Sequence, residues 1–425
     1  MQTIEAKAMV ESGVLDDKFM ELYVDSAGLA YQKKRYIKAI EEFENNFMSR
    51  EISIFSAPGR SEIVGNHTDH QRGKVLATSV NLDAIAIVSK IEDDVVQVVS
   101  EGFDYITISL SDLSYREDEK ETSNALVKGV MASLKNMNYN IGGFQAYITS
   151  NVLTGAGLSS SAAFETIIGT IVSNLYNNGG IDNIAIAVAG KNAENIYFGK
   201  PCGLMDQMAC AVGGMVAIDF ADAALPEVKQ INIDLNKYGY SMCITDTKGS
   251  HADLTDEYAT IPKEMKEVAE CLGKEVLAEV ESEVFYCNIS NIRNKLGDRA
   301  VLRAIHFIEE NKRVARAVEA LKAENIESFL AQIKASGASS FQYLQNVYSI
   351  TDIMHQNISV ALAVSDSILE EDGVSRVHGG GFAGTIQAFV KNDLVEDYRN
   401  KMDKIFGSGA CTIIKIRNVG GVQIL

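Results

Sequence analysis

The chain has 425 residues, a length that implies two or three compact units and is ample for a buried core. Charged residues make up 23% and hydrophobic residues 46%, with mean hydropathy near zero, which excludes a disordered or fibrous chain. Fifty-seven acids against 39 bases leave a formal charge of -18, which repels polyanions, so no nucleic acid and no membrane is expected as a partner.

Residues 1–50 read as two amphipathic helices, with Leu22, Tyr23, Ala30, Tyr31, Ile37, Ile40 and Phe43 near helical spacing, and form an N-terminal extension. The first residues lack the basic start, apolar stretch and small-residue cleavage site of a signal peptide. Short β-rich runs follow at 52–58, 84–90, 94–99 and 105–110, and helical spacing at 124–138, 159–176 and 182–197. Beyond about residue 235 helices dominate, at 260–281, 299–322, 326–348 and 351–369. Strands at 384–390 and 410–417 then flank a helix at 392–405, a βαβ-type or split α+β ending. The expected division is an extension over 1–50, a first lobe over 51–235 and a second over 236–425. Six cysteines without CxxC spacing and no apolar run of membrane-spanning length point to the reduced cytoplasm.

Four clusters carry chemistry. In the first, Gly155, Gly157, Leu158, Ser159, Ser160 and Ser161 precede a helical stretch, with glycines allowing close backbone approach and serines able to cap the helix. A helix start of this kind favours an anion, because free N–H groups and the dipole act together. A plain loop and cap is the competing reading; three consecutive serines tilt it to a phosphate cradle, although no Walker lysine is present. The second is the polar stretch 57–73, in which His67 and Asp69 can hold neighbouring hydroxyls and Arg60 can orient a phosphate or carboxylate bidentately. In the third, 201–214, Asp206 stands alone among apolar residues, and an isolated carboxylate there must be paired or reactive. The last is the glycine-rich turn 376–384 containing Gly379, Gly380 and Gly381.

In this order the four pieces resemble the galactokinase family of the GHMP small-molecule kinases. The family's sugar signature, close to Gly-Arg-x-Asn-Leu-Ile-Gly-Glu-His-Thr-Asp-Tyr, is met by Gly59-Arg60 and by Gly65-Asn66-His67-Thr68-Asp69-His70. Its phosphate loop is met residue for residue by Gly157 to Ala162, its Cys-Gly-x-Met-Asp-Gln stretch at 202–207, and its late glycine turn at 379–384. The resemblance implies an α+β, two-domain GHMP kinase fold, with a ribosomal-protein-S5-like first lobe, a ferredoxin-like second lobe and the active site between them. It further implies transfer of phosphate from ATP to the C1 hydroxyl of a sugar, galactose by default, with Mg2+ as cofactor. Asp206 would then accept the hydroxyl proton and Arg60 would steady the phosphoryl group. Ser161 and Glu194 would hold magnesium, and Asn66, His67, Asp69, Gly203 and Tyr258 match sugar-contacting positions.

The resemblance has departures. Asn66 stands where galactokinases carry Glu beside the C6 hydroxyl, which makes a uronic acid such as galacturonate a rival substrate, with Arg72 and Lys74 adding positive charge nearby. Ile261 and Pro262 replace arginines, and His378 replaces a threonine. A catalytically inactive sugar and ATP sensor is the alternative of another class, although the serine loop, Asp206 and Arg60 are intact. The acidity concentrates in 91–121 and 252–285, so a locally neutral to basic cleft inside an acidic exterior is expected.

Overall fold

The computed structural model describes residues 1–153, 157–222, 226–249 and 255–425. The first fifty residues form three helices instead of two: α1 (Thr3–Ser12), α2 (Asp16–Tyr23) and α3 (Leu29–Phe47). Gly13, at φ +87°, ends α1 in a left-handed turn that a continuous amphipathic helix cannot absorb. The three helices bury Phe19, Leu22, Tyr36, Ile40 and Phe43 against Ile54, Ile85, Ile87 and Tyr147 of a sheet.

That sheet is built from β1 (Ser53–Val64), β2 (Lys74–Lys90), β3 (Val95–Ser100), β4 (Ile106–Ser109), β5 (Phe144–Ser150), β6 (Met215–Asp219) and β7 (Glu227–Ile231), joined by a two-residue strand from the chain end. All pairings are antiparallel except β3 with β5. The 17-residue β2 serves two partners, with 74–78 on β6 and 84–90 on β5. Its second half reads as a continuous apolar run because helices cover both faces. The extension covers one. The other packs on α4 (Ser123–Asn136), α5 (Ser160–Asn177), α6 (Asn183–Asn192) and α7 (Met205–Val212) through Val127, Met131, Ile167, Ile171 and Met208.

A second, antiparallel sheet is made of β8 (Tyr240–Asp246), β9 (Gly373–His378), β10 (Thr385–Lys391) and β11 (Cys411–Ile414), in the order β11-β8-β10-β9. The helices of this half are α8 (Thr255–Cys271), α9 (Ser282–Leu296), α10 (Asp298–Lys322), α11 (Ile326–Ser339), α12 (Asn357–Leu369) and α13 (Val395–Phe406). β10 and β11 flank β8 and are each antiparallel to it, so β10-α13-β11 is the split ending expected from sequence. The expected helix at 260–281 stops at Cys271, and α9 was not anticipated. The final strand β12 (Val422–Gln423) returns to pair with β1, so the last residues belong by pairing to the first sheet.

Asp83, fully buried on β2, ties the extension and this returning tail to the first sheet. It accepts hydrogen bonds from Tyr23 Oη at 2.8 Å, Ser56, Arg35 and Arg417 Nη1, the last at 3.2 Å. Burial opposes its ionisation, but Arg35 and Arg417 outweigh it and hold the carboxyl below its usual range. Asp83→Asn leaves two buried guanidinium groups without a counter-charge, and is expected to cost about 3–5 kcal/mol in denaturant unfolding. A loss below about 1 kcal/mol would show that this cluster does not hold the extension in place.

Candidate functional site

The centre of the site is a pair that sequence reasoning proposed and the fold brings together across 146 residues. Arg60, on β1, is almost fully buried, and its Nε donates to Asp206 Oδ1 at 2.7 Å while Nη2 donates to Oδ2. Nη1 of the same guanidinium donates to the Gly157 carbonyl. Asp206 lies in the first turn of α7, where the helix dipole adds to Arg60 in favouring negative charge. Burial would raise its pKa, but the Arg60 charge and hydrogen bonds from Arg60 and Ser159 bring the net shift below the ordinary carboxylate value. The pair therefore stays ionised through the neutral range.

The serine loop departs from the expected capping. Ser159 takes a left-handed conformation at the N-cap of α5, makes no cap hydrogen bond, and donates its hydroxyl to Asp206 Oδ2. Ser160 and Ser161 are the first helical residues, behind Leu158, which is buried. Gly157, at φ +67°, sits so close to the buried His378 that a Cβ would lie 2.9 Å from its Nδ1. His378 joins Ser61 and Thr385 behind this loop, so the residue that replaces the family's threonine backs the serine loop. Gly155 lies outside the described residues.

On the other wall, Asp69 and Gly203 are in contact. A Cβ on Gly203 would fall 1.8 Å from Asp69 Oδ2, which explains why only glycine fits there. His67, at φ +60°, donates Nε2–H to the Gly380 carbonyl at 2.9 Å, and its Nδ1 is buried without a partner. Burial, and then the neighbouring His70, push its pKa down to about 3, so it is a neutral ring with a free acceptor. Tyr258, on α8, lies 5.1 Å from the His67 ring and packs over Gly380. Gly381 is pressed against Asn346, leaving no room for a side chain.

Asn66 is completely buried and its hydrogen-bonding capacity is taken by protein groups. Nδ2 donates to Gly379 O at 2.7 Å and to the Glu62 carboxylate, and Oδ1 accepts from Asn346 at 2.8 Å and Ser340 at 3.2 Å. Glu62, which sequence reasoning passed over, lines the cleft beside it and is paired from behind with the buried Arg376. Arg72 and Lys74 face elsewhere, on Glu275, Glu279 and Asp219.

Glu194, in a π-helical turn after α6, is buried with Ser161 Oγ at 3.3 Å, Gln207 Nε2 at 2.9 Å and Lys200 Nζ at 2.9 Å. Gln207 also bonds Glu165, whose pKa burial and Glu194 drive well above the ordinary value. These walls enclose a cleft of about 760 Å³. Its charged lining is Glu62, Asp69, Glu194 and Asp206 against Arg60 and Lys200, so the expected neutral to basic cleft is in fact acidic. The sequence count missed this because Arg72 and Lys74, which balance Glu62 and Asp69 along the chain, face away from the cleft, while Glu194 and Asp206 join it from other segments.

A two-sheet α+β molecule with a glycine-serine loop meeting a buried arginine paired with a cleft aspartate defines a GHMP-type small-molecule kinase, and the GHMP kinases N terminal domain model matches residues 125–214. The galactokinase galactose-binding signature matches residues 41–90. The chain is 30% identical over 363 residues to a galactokinase of Clostridium perfringens, covering 84% of this chain and 90% of that one. It is 28% identical to a galactokinase of Clostridium tetani, covering 86% and 92%. The chain belongs to the galactokinase family. Among solved structures it resembles Lactococcus lactis galactokinase complexed with galactose, at TM-score 0.77 and 25% identity over 90% of this chain and 98% of that one. Methanococcus jannaschii mevalonate kinase shares the fold, at TM-score 0.60 and 15% identity over 86% and 98%.

Two outcomes follow from this geometry. Gly203→Ala forces the Asp69 carboxylate aside and is expected to lower kcat/KM for the sugar by roughly 100-fold while leaving KM for the nucleotide unchanged. An equal loss on both substrates would show a collapsed cleft instead. Because His67 is neutral in the fold but takes a proton near 6.5 when unfolded, acid favours the unfolded chain. Its contribution costs nothing above about pH 6.5 and grows as pH falls towards 3. In urea titrations between pH 7.5 and 5, His67→Gln should lose less stability than the wild type; parallel curves would mean that His67 protonates within the fold.

Proposed function

We propose that the protein transfers the γ-phosphoryl group of ATP to the C1 hydroxyl of galactose. The observation that carries this reading is that the Arg60–Asp206 pair and the Asp69–Gly203 contact line one cleft, to which the serine loop is joined through Ser159 on Asp206. The sugar is assigned to the wall of His67, Asp69, Gly203 and Tyr258, and the ATP phosphates to the start of α5 beside Asp206, where Leu158 to Ser161 open the helix. Asp206 orients the attacking hydroxyl. Its lowered pKa makes it a weak base, which suffices when the transition state is loose and the hydroxyl proton leaves late. Arg60, held by the same carboxylate, offers its positive charge to the transferring group without reorganisation.

Magnesium is the cofactor this reading requires, and the residues fit it. A buried carboxylate and a hydroxyl 3.3 Å apart are hard oxygen donors, and magnesium bound to phosphates needs only one or two protein ligands. Glu194 and Ser161 would hold it, and when bound it would neutralise phosphate charge in a cleft that is otherwise acidic. Lys200 pairs with the same carboxylate at 2.9 Å.

The uronate reading loses its support, because the corner that was to lack a carboxylate is lined by Glu62 and the nearby cations point elsewhere. ADP release with MgATP and galactose, galacturonate, N-acetylgalactosamine or glucose tests the proposal. Galactose should be the preferred acceptor, and Asp206→Asn should lower kcat by about 100-fold or more. Background release with every sugar, equal in both proteins, would instead favour a sensor.

A further inference from the structure

Aligned on the family signature, this chain exchanges two residues: the pattern's Asn falls at position 62 and its Glu at position 66, where the chain has Glu62 and Asn66. In the structure the two are not independent, since Asn66 Nδ2 donates to both carboxylate oxygens of Glu62, at 3.2 and 3.3 Å. Asn66 has nothing left to offer a ligand, as its remaining capacity is taken by Gly379, Asn346 and Ser340. Glu62 differs. Its Oε1 is engaged by Arg376 Nη2 at 2.7 Å, whereas Oε2 has only the long contact to Asn66 and keeps acceptor capacity at the cleft wall.

We propose that Glu62 is the carboxylate that reads the sugar at the C6 corner of this cleft, with Asn66 and Arg376 as the residues that position it. The inference rests on the galactose reading above and deepens it. A carboxylate with a free acceptor rewards a hydroxyl donor and repels a second carboxylate. The corner therefore selects a neutral hexose with a C6 hydroxyl and rejects both the uronic acid and the 6-deoxy sugar, which leaves Oε2 unpaired. Arg376 does not reverse this choice, because its side chain is fully buried and its Nη groups are engaged by Glu62 and the Ile63 carbonyl.

The test is steady-state kinetics of the full chain with MgATP on galactose, 6-deoxygalactose and galacturonate. The wild type should prefer galactose to either analogue by about 10- to 100-fold in kcat/KM. Glu62→Gln should raise KM for galactose by about tenfold or more, leave KM for MgATP unchanged, and narrow the gap to both analogues. Glu62→Asp keeps the charge opposite Arg376 but withdraws the carboxylate by one methylene, so it should fold and show the same rise in galactose KM; it decides the matter if Glu62→Gln does not fold. Wild-type galactose KM in either folded variant, or galacturonate used as well as galactose by the wild type, overturns the inference while leaving the kinase reading intact. No turnover of any sugar by the wild type overturns the kinase reading and this inference with it.

Discussion

The active cleft depends on one ion pair. Arg60 is nearly excluded from water, and a buried guanidinium is tolerable only if its charge and donors are met. The two oxygens of Asp206 and the carbonyl of Gly157 meet them, and in doing so they bring β1, the serine loop and the start of α7 to one point. Ser159 is drawn into the same cluster, which is why it abandons the cap of its own helix. The hydrogen bonds that stabilise the pair are also those that aim Asp206, so stability and positioning are the same interaction.

The second wall is held by close approach. Asp69 against Gly203 and Tyr258 over Gly380 bring side chains onto bare backbone, and each joins residues from segments distant in the chain. His67 shares this logic: its left-handed backbone and its bond to Gly380 leave a neutral nitrogen facing the wall, buried and unpaired. A pocket assembled from glycine contacts has little room to adjust, which suits recognition of a small rigid ring.

The net charge illustrates how composition and location part. An acidic chain excludes polyanions, yet it uses a polyanionic co-substrate under the proposed reading, and the cleft is itself acidic. Under that reading a divalent cation held by Glu194 would offset the phosphate charge, and Lys200 pairs with the same carboxylate. Neither residue's part in this balance is visible from counting charges along the chain.

Much of the chemistry was legible in the sequence, because the four motifs are local: each places its residue types within a dozen positions, and local spacing survives folding. The long helices and the split ending were legible for the same reason, through periodicity within a segment. What escaped was non-local. The break in the N-terminal helices and the long shared strand β2 answer to packing on a sheet whose partners lie far away in sequence. Asn66 reads as a ligand by position, but contacts with Ser340, Asn346 and Gly379, between 274 and 313 residues away, use up its bonds, and Arg376 fixes Glu62 at the same corner. By itself the sequence determined which reaction chemistry the chain carries. Only the tertiary structure decided that Glu62 lines the cleft where Asn66 is bonded to protein, and what sign of charge the cleft has, because hydrogen-bond capacity and local charge are set by neighbours in space.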